Sequence, residues 1–103
     1  MGNENMRCAL YFEFKIAEAE EVWNRNEKIQ ADREKTPDKY PKDIFPPQGH
    51  LFGEPAGFYI VEGTLEQIFH FTQAWAPLKK FRVEIITDAE KLPAMASKAH
   101  KIG

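Results

Sequence analysis

The stretch from Gly57 to Thr87 constrains the fold most, because it reads as a strand, a helix and a second strand in immediate succession. Residues 57–62 are rich in aromatic and β-branched residues and lie between a proline and a glycine, which is typical of a short strand. Thr64 is followed three residues later by Gln67, and these side chains suit a capping box, in which each satisfies a free backbone N–H group. The pattern therefore predicts a strand that ends at Gly63 and a helix that begins at Thr64.

The predicted helix is amphipathic and leads into a second strand. Its apolar residues share one broad side of a helical wheel, which indicates one buried face. The residues on this side are Leu65, Ile68, Phe69, Phe71, Thr72, Trp75 and Leu78. Pro77 disfavours helical geometry at the residue before it, so we expect the helix to end near Trp75. From Phe81 to Thr87 the apolar residues recur with a period of two, which predicts the second strand.

The first half of the chain repeats this order of elements. Residues 6–15 alternate and predict a strand. One side of it carries Cys8, Leu10, Phe12 and Phe14, and the other carries Arg7, Ala9, Tyr11, Glu13 and Lys15. Residues 17–35 have helix-forming composition and apolar residues at helical spacing, which predicts a helix. Four prolines within residues 36–47 predict an ordered loop, and residues 49–54 are a strand candidate that forms a hairpin with the strand at Phe58.

The resulting order, β-α-β-β-α-β, favours an α+β fold in a single domain of residues 1–103. The best-known compact fold with this order of elements is the ferredoxin-like arrangement, a four-stranded antiparallel sheet with two helices on one face. We expect a core region of residues 6–87, a Pro-rich loop of residues 36–47, and a tail of residues 88–103 with one weak helix or none. The side chains expected in the core are Leu10, Phe12, Phe58, Ile60, Val83, Ile85, Trp23, Ile68, Phe69 and Trp75.

The opposite face of this predicted sheet is too apolar to face water alone. It is expected to carry Ala9, Tyr11, Tyr59, Val61 and Ile86, with His50 or Phe52. The simplest cover is a second copy of the same sheet, related by a twofold axis, so we expect a homodimer.

Composition excludes several classes of function. The net charge is −2 and the pI is about 5.9, which gives no electrostatic reason to expect nucleic acid. Cys8 is the only cysteine, so no disulfide can form within the chain. No apolar run approaches a membrane span and no signal-peptide pattern is present, so we expect a cytoplasmic protein without a membrane partner. Neither a Gly-rich phosphate loop nor a metal-ligand cluster stands out, and we expect no cofactor.

Three segments carry a resemblance to a known family. They are Gly57-Phe58-Tyr59-Ile60-Val61-Glu62, Ala74-Trp75-Ala76-Pro77-Leu78 and Phe81-Arg82-Val83-Glu84. They resemble segments of the domain-of-unknown-function 3303 family, which belongs to the dimeric α/β barrel proteins. The chain differs from the family pattern at Ile85-Ile86, where members tend to have Pro-Val, and in its longer proline loop. The resemblance implies a ferredoxin-like fold and dimerisation, and it implies no activity because the family has no established one.

Six side chains are candidates for a ligand site inside such a barrel, namely Tyr11, Glu13, His50, Tyr59, Arg82 and Glu84. One hypothesis is a small-ligand-binding or interaction protein, in which these side chains satisfy one another at the dimer interface. The other is a cofactor-independent enzyme, with His50 or Glu84 as base, that acts on a small carbonyl or phenolic compound. Related dimeric barrels include monooxygenases and isomerases of that kind.

Overall fold

The computed structural model describes residues 4–100, an α+β fold with a four-stranded antiparallel sheet and three α-helices. The strands are β1 (Met6–Glu13), β2 (Lys42–His50), β3 (Ala56–Gly63) and β4 (Lys80–Ile85). The helices are α1 (Ala19–Lys35), α2 (Leu65–Trp75) and α3 (Leu92–His100). The α+β class is therefore confirmed. The outermost residues of the predicted domain, 1–3 and 101–103, lie outside the described residues.

The strand order across the sheet is β2-β3-β1-β4. The central strand β1 pairs antiparallel with both β3 and β4, and Leu10 lies opposite Tyr59 on one side and Val83 on the other. This order is compatible with the predicted ferredoxin-like arrangement. Because directly opposite residues in an antiparallel pair point to the same side of the sheet, the register fixes which residues share a face.

The predicted start and end of α2 are confirmed. The Thr64 hydroxyl accepts a hydrogen bond from the backbone N–H of Gln67 at 3.2 Å, and the Gln67 side chain accepts one from the backbone N–H of Thr64 at 2.9 Å. These bonds satisfy two free donors of the first turn. The helix ends at Trp75, two residues before Pro77.

Both long helices pack on one face of the sheet and form the core with it. The buried cluster contains Cys8, Leu10, Phe14 and Val61 from the sheet side, Val22 and Ile29 from α1, and Ile68, Phe71 and Trp75 from α2. Arg25 of α1 donates hydrogen bonds to the carbonyl oxygens of Ala74 and Ala76, at 2.7 and 3.0 Å, and so joins α1 to the end of α2.

The predicted orientation of β3 is wrong. The register places Val61 opposite Cys8 and Tyr59 opposite Leu10, so Tyr59 and Val61 face the helices. Phe58 and Ile60 therefore lie on the other face, where Tyr59 and Val61 had been expected. Every residue from Phe58 to Val61 is apolar or aromatic, so alternation in this strand carries no information on which side is buried.

Several residues expected in the core are exposed. Trp23 on α1 is 52% exposed and Phe69 on α2 is 63% exposed, whereas Ile68 and Trp75 are buried as predicted. On β4, Val83 and Ile85 share a face with Leu10 but remain exposed, Ile85 to 73%. The physical reason is that β4 is an edge strand, and the helix pair covers the centre of the sheet more fully than this edge.

The predicted loop and strand around the prolines need a second correction. Residues 42–50 form the edge strand β2, and the structure has no strand at residues 51–54. Pro46 and Pro47 are accommodated because β2 pairs on one side only and its register with β3 shifts twice. The weak helix allowed for in the tail is present as α3. No helix within residues 4–100 is long and apolar enough to cross a membrane.

Candidate functional site

The side of the sheet opposite the helices, which we call the open face, brings together four predicted site residues from β1 and β4. Tyr11 and Glu13 lie on it from β1. Arg82 lies opposite Tyr11, and Glu84 lies opposite Ala9, so both belong to the same face. The structure therefore brings Tyr11, Glu13, Arg82 and Glu84 together, as expected from the alternation in these two strands.

The aromatic and charged side chains of the open face contact one another. The Arg82 guanidinium lies over the Tyr11 ring, 4.3 Å from its centroid, and donates a hydrogen bond to the Glu84 carboxylate at 3.0 Å. The Tyr11 and Phe58 ring centroids are 6.4 Å apart, and Phe45 of β2 stacks on Phe58 at 6.5 Å. An aromatic row thus crosses the open face from β1 to the edge strand β2.

A groove of about 400 Å³ lies at one end of this face. Side chains of Tyr11, Glu13, Lys80 and Arg82 line it. An aromatic ring, two cations and a carboxylate together can hold a flat organic molecule that carries an oxygen acceptor.

The other two predicted site residues lie away from this group. Tyr59 faces the helices, and its ring packs edge-on against Phe71 at 5.1 Å, so it cannot line the open-face groove. His50 lies opposite Ala56 and so shares the open face, but at the end of the edge strand β2, where it is exposed and stacks on Phe52 at 6.5 Å. Three strand spacings and four residues separate it from Glu84, which corresponds to roughly 19 Å.

A second cluster, which the sequence reasoning missed, surrounds the amine of Lys79. Only 9% of Lys79 is exposed. Its Nζ atom lies 3.6 Å from the ring centroid of Trp75 and 4.1 Å from that of Phe12, and it donates a hydrogen bond to the Tyr59 hydroxyl at 2.7 Å. We call Phe12, Tyr59 and Trp75 the aromatic cage.

The local sequence explains how a lysine comes to lie in this cage. After α2 the chain turns sharply, with the backbone N–H groups of Leu78 and Lys79 both directed at the carbonyl of Trp75. This turn places Lys79 next to the last residue of α2. Gly57 completes the arrangement, because a Cβ atom there would come within 2.6 Å of the Phe12 ring and would also clash with the Gln48 carbonyl. A side chain at position 57 would therefore displace one wall of the cage.

Two clefts reach Lys79 from outside. One, of about 620 Å³, lies between β1, the turn after α2 and Glu54. Its lining includes Glu13, Phe14, Lys15, Glu18, Glu54, Pro77, Leu78, Lys79 and Lys80. The other, of about 300 Å³, is mainly apolar, with Phe12, Phe14, Trp23 and Leu51 among its lining residues, and it also contains His50.

Burial changes the acid–base properties of this cluster. Burial lowers the pKa of the Lys79 ammonium to about 7 because the charged form loses its hydration, and no ion pair within residues 4–100 involves this side chain. Desolvation likewise raises the pKa of the Tyr59 phenol above its usual value. At neutral pH the cage therefore holds an amine that is partly neutral beside a phenol that keeps its proton.

One signal in the sequence could have located Lys79. The alternation of β4, extended backward by one step from Phe81, places residue 79 on the same side as Phe81. Phe81 packs against Tyr59 and Phe71 on the helix side. A lysine is rarely buried without a partner, which argues against this placement when only the sequence is considered.

A metal site is not evident in the part of the chain that the structure describes, because no three His, Cys, Asp or Glu side chains come close enough to share an ion. No protein-family model, no curated protein and no solved structure matches this chain.

Proposed function

We propose that this protein is a homodimer that binds a small, partly aromatic organic ligand at its open face. The groove beside Tyr11 and Arg82 carries the proposal, because it combines an aromatic surface with cationic donors at the edge of an uncovered sheet. In the dimer, the open face of a second copy closes the groove and removes its ligand from water. Burial of a ligand on most sides is the usual condition for specific binding of a small molecule.

The charges of the open face favour a second copy of the chain as its cover. On β1, β3 and β4 this face carries three cations and three carboxylates, which are Arg7, Lys80, Arg82, Glu13, Glu62 and Glu84. A twofold interface requires a surface that is complementary to itself, and a balanced mixture around an aromatic row meets that requirement.

This proposal includes the finer aspects of the fold. The strand order and the two helices packed on one face support a ferredoxin-like subunit, and stacking of two open faces would give a dimeric α/β barrel. Kinship with the domain-of-unknown-function 3303 family is part of the same proposal. The single cysteine is buried and cannot pair within the chain, which suits a reducing compartment such as the cytoplasm.

The geometry of the open face favours binding over catalysis there. Glu84 is held by Arg82, and His50 lies on the edge strand opposite Ala56, two strand spacings or roughly 10 Å from Glu13. Neither of these candidate bases is among the residues that line the groove. A general base must come within hydrogen-bond reach of the proton that it removes.

The oligomeric state tests the dimer. We expect light scattering after size exclusion to give twice the chain mass for the wild type and the monomer mass for Phe58→Glu. Phe58 lies at the centre of the aromatic row, and the new charge would be buried between two sheets. Leu65→Glu is the matched control, because Leu65 is exposed at the start of α2 and its replacement leaves the dimer intact. A monomeric wild type would refute the dimer.

Ligand binding can be tested separately with 4-hydroxybenzoate. Its ring can stack in the aromatic row, and its carboxylate can reach the groove cations. At millimolar ligand we expect amide chemical-shift changes centred on Tyr11 and Arg82. We expect Arg82→Gln to bind the ligand at least about tenfold more weakly, because the loss of a charge-assisted hydrogen bond costs about 1.4 kcal/mol or more in binding free energy. Shifts of equal size in both proteins would exclude this groove as the binding site.

A further inference from the structure

We propose that Lys79 is the nucleophile of a second site, which takes a small aldehyde or ketone with an apolar body and holds it as an imine. This site lies on the helix side of the sheet, whereas the proposed dimer interface lies on the opposite side. The failure of one proposal in its test would therefore not refute the other.

The geometry around the amine carries this inference. A buried lysine is ordinarily paired with a carboxylate, because an isolated ammonium loses its hydration on burial. Within residues 4–100 the Lys79 amine instead has a phenol at 2.7 Å and two aromatic rings within 4.1 Å. The indole N–H of Trp75, which is 1% exposed, also has no acceptor in this part of the protein. The amine thus lies among aromatic rings without a carboxylate partner, and Lys79 borders two clefts that can admit a small carbonyl compound.

The Lys79–Tyr59 pair has the two functions that imine formation needs. The nitrogen lone pair attacks the carbonyl carbon, a C–N bond forms, and the carbonyl π electrons move to oxygen, which takes a proton from the phenol. The nitrogen loses a proton to give a neutral carbinolamine and restore the phenol. The phenol then protonates the hydroxyl, and the nitrogen lone pair forms the C=N bond as the C–O bond breaks and water leaves. The phenolate takes the remaining N–H proton of the iminium, which gives the neutral imine and restores the phenol. The products are one imine and one water, and the step requires no redox partner.

The clefts indicate which carbonyl compounds fit. Phe14 lines both of them, Leu78 borders the larger one, and Trp23 and Leu51 border the smaller one. These walls suit an aryl or short alkyl group next to the carbonyl carbon. Formaldehyde has no such group, so it gains nothing from them.

The protonation states of the cluster fit this chemistry. Burial lowers the pKa of Lys79 to about 7, so about half of the amine is neutral and nucleophilic at neutral pH. The charged groups around the clefts are Glu13, Lys15, Glu18, Glu54 and Lys80, with His50 in the smaller one. None of them forms an ion pair with Lys79. Tyr59 remains a protonated acid because burial raises its pKa.

Reductive trapping on the full chain tests the site. The protein is incubated at pH 7 with limiting benzaldehyde and sodium cyanoborohydride. The cyanoborohydride reduces the imine to a stable benzylamine. The modified lysines are then quantified by peptide mass spectrometry. Lys15 is the internal control, since it lines the larger cleft but is exposed. Because burial lowers the pKa of Lys79 and so increases the neutral, nucleophilic fraction of its amine, we expect Lys79 to react at least about tenfold faster than Lys15.

Two comparisons distinguish a site that binds the carbonyl compound from a lysine that is only more reactive than others. With formaldehyde as the probe, the preference for Lys79 over Lys15 should fall several-fold, because the apolar walls no longer contribute. Tyr59→Phe keeps the ring and removes the acid, so Lys79 labelling should slow at pH 7 while the fold, followed by circular dichroism, is unchanged. Labelling of Lys79 no faster than of Lys15 would overturn the nucleophile. An equal preference with both aldehydes would overturn the substrate class, and unchanged labelling in Tyr59→Phe would overturn the role of the phenol.

Discussion

Replacement of Lys79 by methionine should change how the stability of this protein depends on pH. The side chain keeps its length and its place among the rings, but it can no longer carry a proton. In the wild type the pKa of Lys79 falls from 10.5 to about 7 on folding, so the unfolded chain binds more protons than the folded one between these values. Stability therefore rises with pH through this window, and the cost of the buried charge is fully present below pH 7.

The size of the effect follows from the same shift. Integration of the proton linkage from pH 6 to pH 9 gives an increase in the free energy of unfolding of about 2.5 kcal/mol that belongs to Lys79 alone. The gain in stability of Lys79→Met over the wild type should therefore be largest at pH 6 and smaller by about 2.5 kcal/mol at pH 9. All other titrating groups are shared by the two proteins and cancel in the difference.

Urea titrations of both proteins at pH 6, 7.5 and 9 measure this difference. Lys80→Met is the matched control, because it makes the same substitution at the neighbouring, exposed lysine and leaves the buried amine in place. If the difference between Lys79→Met and the wild type changes by less than about 0.5 kcal/mol from pH 6 to pH 9, the amine keeps an ordinary pKa and the argument for a neutral nucleophile fails.

Two further predictions concern the core and the start of α2. Trp75→Ala should lower the free energy of unfolding by about 3–5 kcal/mol, because the Trp75 ring is buried. Trp23→Ala should lower it by about 1 kcal/mol or less, because the Trp23 ring is half exposed. Equal losses for the two variants in urea titrations would contradict the packing described above. Thr64→Ala should cost about 1 kcal/mol because it removes the acceptor for the Gln67 N–H, and Thr64→Ser, which keeps that acceptor, should restore most of the loss.

The elements of this fold could be read from local sequence because each has a local cause. The capping pair Thr64 and Gln67 marks the start of α2, and Pro77 limits its end, as the structure confirms. The alternation of β1 is strict enough to assign its faces, so Tyr11 and Glu13 were placed on the correct side. The boundaries of β2 could not be read this way, because prolines are compatible with a strand only when that strand lies at an irregular edge.

The faces of β3 and the exposure of the helices needed tertiary information. Phe58, Tyr59, Ile60 and Val61 are all suited to burial, so only pairing with β1 decides which two face the helices. Substitution at Val61 illustrates the consequence. The sequence analysis places Val61 on the open face, where Val61→Glu would separate a dimer, but the residue lies in the core and the change would instead unfold the subunit.

The sequence alone determined the class of the fold, the order of its elements, the ends of α2 and the faces of β1. These features depend on caps, prolines and short-range periodicity, which involve residues only a few positions apart. Only the tertiary structure decided the orientation of β3, the exposure of Trp23 and the burial of Lys79. A side chain is buried or exposed according to what lies across from it, and the partners of Lys79 come from β1, β3 and α2, segments as far apart in the chain as Phe12 and Trp75.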